Sequence, residues 1–182
     1  MSELDVLRKG FIAFLDGLWW GLRDNVGPLS MSEGYVRGFR QMGEEMAEAE
    51  GAKGAEAAAK IAANLFSAMG LGVDLKGKEI LVTSCPLWDR ILERGLEYAF
   101  HVEEICWKPM LEGIGARTGA KPTVVSALRL IHLEKAKVDY KKGKAKKAMD
   151  KGAISKEEYN KQVTALDEIL QKIPSEGCYR FE

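Results

Sequence analysis

The stretch Lys78-Glu79-Ile80-Leu81-Val82-Thr83-Ser84-Cys85-Pro86 decides how this chain reads. β-Branched residues follow a Lys76-Gly77-Lys78 turn, so 78–84 predicts a strand. Cys85-Pro86 then predicts a helix with proline in its first position, running to about Arg94 with Gly95 as its stop. Upstream, the texture is helical. Leu4, Leu7, Phe11, Phe14, Leu15, Leu18, Trp19 and Leu22 recur at spacings of three and four, and Val26-Gly27-Pro28 ends that helix. A second helix is predicted from Ser32, with Tyr35, Val36, Phe39, Met42 and Met46 on one face. Gly51 to Gly54 breaks it. Ala55–Met69 is a third helix, stopped by Gly70 and Gly72.

Downstream, a loop around His101–Lys108 precedes a helix from about Pro109 to Ala116. Thr123–Leu133 fits either strand or helix, because Thr-Val-Val favours one and Leu128, Ile131 and Leu133 suit both periods. Lys135–Lys172 reads as a helical hairpin turned by Gly152-Ala153, with Ser155 and Glu158 as a capping box on its second arm. Its first arm is strongly basic, with eight Lys between 135 and 151. Tyr159, Val163, Leu166, Ile169 and Leu170 form the apolar stripe of the second. Pro174 and Gly177 release Cys178-Tyr179-Arg180-Phe181-Glu182 as a last strand. The whole of 1–182 reads as a single α+β domain: N-terminal helices packed on a small antiparallel sheet, with a helical hairpin inserted at 134–173.

The 182 residues carry 27 Lys and Arg against 27 Asp and Glu. Zero net charge gives no global reason to bind nucleic acid or an anionic membrane. Phe11–Leu22 is interrupted by Asp16 and too short to span a bilayer. No signal-peptide cleavage site follows it, and three Cys form no disulfide framework, so a reducing cytoplasm is the expected compartment.

Cys85 is the sharpest chemical feature. At a helix start, unpaired backbone N–H groups and the positive end of the dipole favour thiolate, the form that attacks carbon or binds metal. The competing reading is a small buried Cys packed under the helix. His101 and His132 are the two imidazoles available as a base beside Cys85, and Glu103, Glu104 and Glu112 are the nearest carboxylates to orient one or act as acid. Cys85, Cys106 and Cys178 match no zinc-finger spacing. With His101 or His132 they complete a four-coordinate zinc or iron set only if the fold brings them together. Trp19, Trp20, Tyr35, Phe39 and Trp88, together with Met42 and Met46, are candidates to line an apolar pocket, with core packing as the commoner role for such residues. Trp19 and Trp20 are consecutive, so one of them must leave the helix stripe for a second surface.

Thr83-Ser84-Cys85-Pro86-Leu87, Arg94-Gly95-Leu96, Cys106, Met110-Leu111-Glu112-Gly113 and Gly177-Cys178-Tyr179-Arg180-Phe181 together resemble the L-2-amino-thiazoline-4-carboxylic acid hydrolase-like family. That family is distantly similar to the 4-vinyl-reductase-like, hydrocarbon-binding domains. The resemblance covers about 1–125 and 176–182. It implies a small-molecule pocket between helices and an antiparallel sheet, and its founding activity is hydrolytic opening of a thiazoline ring. Residue by residue it carries over Cys85, Cys106 and Cys178. Within the hairpin, Gly152-Ala153-Ile154-Ser155-Lys156-Glu157-Glu158-Tyr159 resembles a short helical module found at protein C-termini, which implies association.

The expectation is therefore a cytoplasmic small-molecule-binding protein, with hydrolysis of a C–N or C–S bond in a small cysteine-derived or heterocyclic compound as the implied reaction. Cys85 and His101 are the expected catalytic pair. Cys106, Cys178, Trp19, Tyr35 and Trp88 are the expected ligand contacts. The alternative is a non-catalytic metal- or cofactor-binding or accessory protein, forming an oligomer or docking a partner through 134–173. Neither reading involves nucleic acid or a membrane.

Overall fold

The computed structural model describes residues 1–94 and 101–182. Helix α1 (Glu3–Val26) starts at a reciprocal cap. Ser2 Oγ accepts from the Asp5 backbone N–H at 3.2 Å, and the Asp5 carboxylate accepts from the Ser2 N–H at 3.0 Å. Gly27 turns the chain at φ 85°, and α2 (Pro28–Glu50) begins at once, four residues earlier than the expected start at Ser32. Proline is at home there because its missing N–H would have no partner in a first turn. Helix α3 (Ala55–Ala68) ends before Gly70 as expected.

Strands β1 (Gly72–Lys76) and β2 (Glu79–Ser84) form a hairpin over Gly77; the sequence reading placed only the second of them. Helix α4 (Pro86–Arg94) follows directly, and the expected stop at Gly95 lies outside the described residues. Residues 103–107, expected as loop, are helical: a wide π-type turn over Glu103–Trp107 runs into α5 (Lys108–Thr118). Pro109 has no N–H to give the preceding turn, which accounts for the wider spacing there. The Lys108 N–H instead reaches back five residues to the Glu103 carbonyl.

Thr123–Leu133 satisfies both of its readings in succession. Strand β3 (Pro122–Ser126) ends at Ala127, and α6 (Leu128–Asp150) starts within the same segment. The hairpin arm therefore begins at Leu128, ahead of the expected 134. Helix α7 (Lys156–Lys172) completes it. Ser155 Oγ accepts from the Glu158 N–H at 3.1 Å, but the Glu158 side chain turns to Gln162, so only half of the expected capping box forms. Strand β4 (Gly177–Phe181) closes the sheet in the order β1-β2-β4-β3, all antiparallel. The result is an α+β fold with a four-stranded antiparallel sheet, as the sequence predicts.

Helices α2 and α5 cross at glycine. A Cβ on Gly43 would stand 2.1 Å from the Met110 carbonyl oxygen, and one on Gly113 would stand 2.2 Å from that of Arg40. Backbone meets backbone at this crossing, which fixes α5 and the π-turn ahead of it. Arg117 adds ion pairs to Glu44 at 3.1 Å and Glu48 at 2.9 Å. From α1 to the sheet, aromatic rings touch in sequence: Trp19–Tyr35 (5.8 Å), Tyr35–Phe39 (6.3 Å), Phe39–Trp107 (5.6 Å), Trp107–Phe66 (5.5 Å) and Phe66–Tyr179 (5.5 Å). Among the described residues no helix is long and apolar enough to cross a membrane.

Candidate functional site

Strand β4 alternates: Tyr179 and Phe181 face the helical core, whereas Cys178 and Arg180 face the other side of the sheet. That period of two places the Tyr179 ring under the π-turn. The wide turn in turn buries four of its five residues, Glu103, Ile105, Cys106 and Trp107. Glu103 is only 7 % exposed, and its carboxyl accepts a hydrogen bond from the Tyr179 hydroxyl. The nearest cation, Arg129, is committed elsewhere, donating to Glu104 at 2.6 Å. Burial therefore dominates, and it pushes the Glu103 carboxyl up to about 7. The Tyr179 bond and the Arg129 charge pull the other way and Glu104 adds to the rise. Tyr179 itself is pushed up, first by burial and then by the Glu103 charge.

Cys85 closes the same cavity with Val82, Trp88, Val102, Trp107, Leu128 and Arg129. The local geometry is the expected one, with Pro86 opening α4, the Asp89 N–H donating to the Cys85 carbonyl at 2.9 Å and the Trp88 N–H donating to Sγ at 3.4 Å. The predicted consequence does not follow. Cys85 is 2 % exposed, and burial pushes its thiol up to about 12 although the Trp88 and Leu87 N–H groups work against it. Two weak N–H···S contacts do not replace the lost hydration of a thiolate. Cys106 is fully buried and also pushed up, first by burial and then by Cys85, so these two thiols lie within reach of each other's charge.

The other expected site residues fall elsewhere. Cys178 lies half-buried on the opposite face of the sheet, so the three thiols do not meet on one side. Among the described residues no three His, Cys, Asp or Glu are arranged to hold a metal ion. His101 is exposed, 3.8 Å from Glu104, and does not line the Cys85 cavity. Trp19 and Tyr35 belong to the aromatic series, with the Tyr35 hydroxyl bonded to the Leu15 carbonyl. Trp20 is the one that leaves the stripe, lying under the guanidinium groups of Arg23 and Arg94 at 4.9 and 5.7 Å.

The cavity at Glu103 measures about 10 Å³, room for about one water molecule. Trp88 and Leu128 form its outer wall. They also line a surface cleft of about 210 Å³ with Thr83, Ser84, Asp89, His132 and Lys135. The His132 ring meets Trp88 edge-on at 5.8 Å. A larger groove of about 620 Å³ lies between α1, the end of α3 and the other side of α4, and shares no lining residue with the Glu103 cavity. Its Arg8 caps the Ser67 and Ala68 carbonyls at 2.6 and 3.1 Å and its Arg90 pairs with Asp16 at 3.3 Å, so their charges are already engaged. We therefore place the site at Glu103. The sequence pointed to Glu103 only as one acid among several; what singles it out is the π-turn, which periodicity does not reveal. No match is found among protein-family models, curated proteins or solved structures.

Proposed function

We propose that the chain binds a small molecule at the junction of β2, α4 and α6, and that Glu103 exchanges a proton with it. One observation carries this reading: a carboxyl sealed among hydrocarbon and thiols, without a committed cation, bonded to a tyrosine. A leucine in that place would fill the core without the cost of a buried acid, so its presence marks a functional group. A carboxyl that titrates near 7 suits general acid–base work at neutral pH. In the closed state the Cys85 thiol keeps its proton. It therefore acts as a ligand contact or weak donor, and the reading centres on Glu103 with Tyr179 as its partner.

The outer cleft supports a compound of a few heavy atoms, below the usual range for larger ligands. Its Asp89, His132 and Lys135 suit a zwitterionic or carboxylate-bearing compound, in keeping with a small cysteine-derived heterocycle. Displacement of the Trp88 ring joins this cleft to the Glu103 cavity. Hydrolysis of a C–N or C–S bond would then add water to the carbon, with protonated Glu103 giving its proton to the leaving nitrogen or sulfur and recovering one from the added water.

The test is a thermal-shift series with L-cysteine, thiazolidine-4-carboxylate and 2-aminothiazoline-4-carboxylate, each at about ten times a millimolar dissociation constant. Such occupancy stabilises by about 1.4 kcal/mol and raises the midpoint by roughly 3–6 °C. At least one compound is expected to do so in the native chain and none in the Glu103→Leu, Tyr179→Phe double variant. No shift with any of the three, or equal shifts in both proteins, overturns the reading.

A further inference from the structure

Helix α1 buries only Ile12 and Leu15 and leaves much of its apolar surface in solvent. Leu7 is 70 % exposed, Phe14 63 % and Leu18 37 %. Advancing 100° per residue, these three share an arc of roughly 100° with Gly10, Gly17 and Gly21. Between Leu4 and Arg23 every charged residue (Asp5, Arg8, Lys9, Asp16, Arg23) falls on the opposite half of the helix. The glycines have no explanation within the monomer. A Cβ on Gly10, Gly17 or Gly21 would meet nothing within 4 Å, and glycine in a helix interior weakens the helix.

The two features fit together under one operation. We propose that the chain pairs with a second copy of itself through this face of α1, antiparallel, about a two-fold axis at Phe14. Two identical helices related in this way oppose residues whose numbers add to 28. Leu7 then meets Gly21, Leu18 meets Gly10, and Phe14 meets its own copy, with Gly17 widening the glycine side of the seam. Leu7 and Leu18 each enter the gap over a glycine, the self-complementarity that an isologous interface demands. A parallel pair would instead set Leu7 on Leu7 and glycine on glycine.

Charge also favours this face over the hairpin arm. Residues 128–172 carry twelve Lys and Arg against seven Asp and Glu, net +5, so two arms repel, whereas the α1 face is uncharged from Leu4 to Arg23 and its one acid, Glu3 at the helix start, falls opposite Asn25 of the copy. Half of a cylinder about 11 Å across and about 27 Å long offers roughly 450 Å². Two copies bury roughly 900 Å², the low end for a specific contact, which suits a micromolar dimer.

Sedimentation equilibrium of the full chain from about 1 to about 500 µM tests this. The native protein is expected to dimerise with a micromolar dissociation constant. Gly17→Leu fills open space in the monomer, so it should leave the thermal midpoint unchanged or higher while weakening the dimer at least tenfold. A native protein that stays monomeric across the range overturns the proposal. So does a Gly17→Leu variant that associates equally well or better, because a merely sticky surface gains from an added leucine. Co-sedimentation of the native protein with phosphatidylcholine vesicles in place of pairing would reassign the face to a lipid surface. Should Gly17→Leu misfold, oxidation decides: Phe14→Cys should cross-link to its own copy and Lys9→Cys, on the charged half, should not.

Discussion

Replacing Glu103 by glutamine isolates the cost of the buried acid. In the folded chain its carboxyl titrates at about 7, against an ordinary value of 4.5. Between those two values the folded protein holds a proton that the unfolded chain has released. Stability attributable to this group therefore falls as pH rises from about 4.5 to about 7, and is level on either side. A difference of about 2.5 units corresponds to about 3 kcal/mol. Glutamine has the same shape, can still accept from Tyr179 and does not titrate, and every other group contributes alike to both proteins. Urea denaturation of the two proteins from about pH 4 to about pH 8.5 gives the contrast directly. The native chain should lose about 3 kcal/mol relative to Glu103→Gln across the window. Parallel stability curves, or a difference that grows with pH in the native chain's favour, would refute the claim that burial governs this carboxyl.

Tyr179→Phe removes the bond that holds the Glu103 carboxyl down, so the midpoint of that pH-dependent loss should move above 7, and stability should drop by about 1–3 kcal/mol. Titration with a thiol-specific disulfide reagent at neutral pH should modify Cys178 first, while Cys85 and Cys106 react only as fast as the protein unfolds; a Cys85 that reacts rapidly at pH 7 would show an accessible thiolate. Gly43→Ala drives a methyl group into the Met110 carbonyl and should cost at least 2 kcal/mol in thermal or urea melts, whereas Gly10→Ala, facing open space, should cost nothing. Trp88→Ala removes the wall between cavity and cleft and should destabilise by about 3–5 kcal/mol while making the Glu103 region accessible to solvent exchange.

The long amphipathic helices were legible because their apolar residues recur at helical spacing, and β2 because Ile80-Leu81-Val82-Thr83 follows a turn and precedes Pro86. Strand β1 was not legible: Gly72-Val73-Asp74-Leu75-Lys76 is too short and too polar to announce itself, and pairing with β2 makes it a strand. The π-turn escaped for a related reason. Local pattern around Glu103-Glu104 suggests solvent, and only packing against α2 and β4 drives Glu103 inward. Cys85 shows the limit of local chemistry. Its position at the start of α4 was readable from Cys-Pro, but the sign of its thiol shift depends on burial, which needs Trp107 from a distant turn to close over Val82 and Trp88. Cys178 was readable as part of a strand; which face it takes follows from register with β2, where it opposes Leu81 and not the buried Ile80.

The central claim is that burial at the β4–π-turn contact lifts one carboxyl from the ordinary carboxylate range to about 7. Carbon-13 NMR of protein labelled at the glutamate side-chain carboxyl measures this directly, with Glu103→Gln identifying the resonance. The account predicts one glutamate signal that inflects near pH 7, apart from the rest. A Glu103 signal that titrates between pH 4 and 5 with the surface glutamates would contradict it.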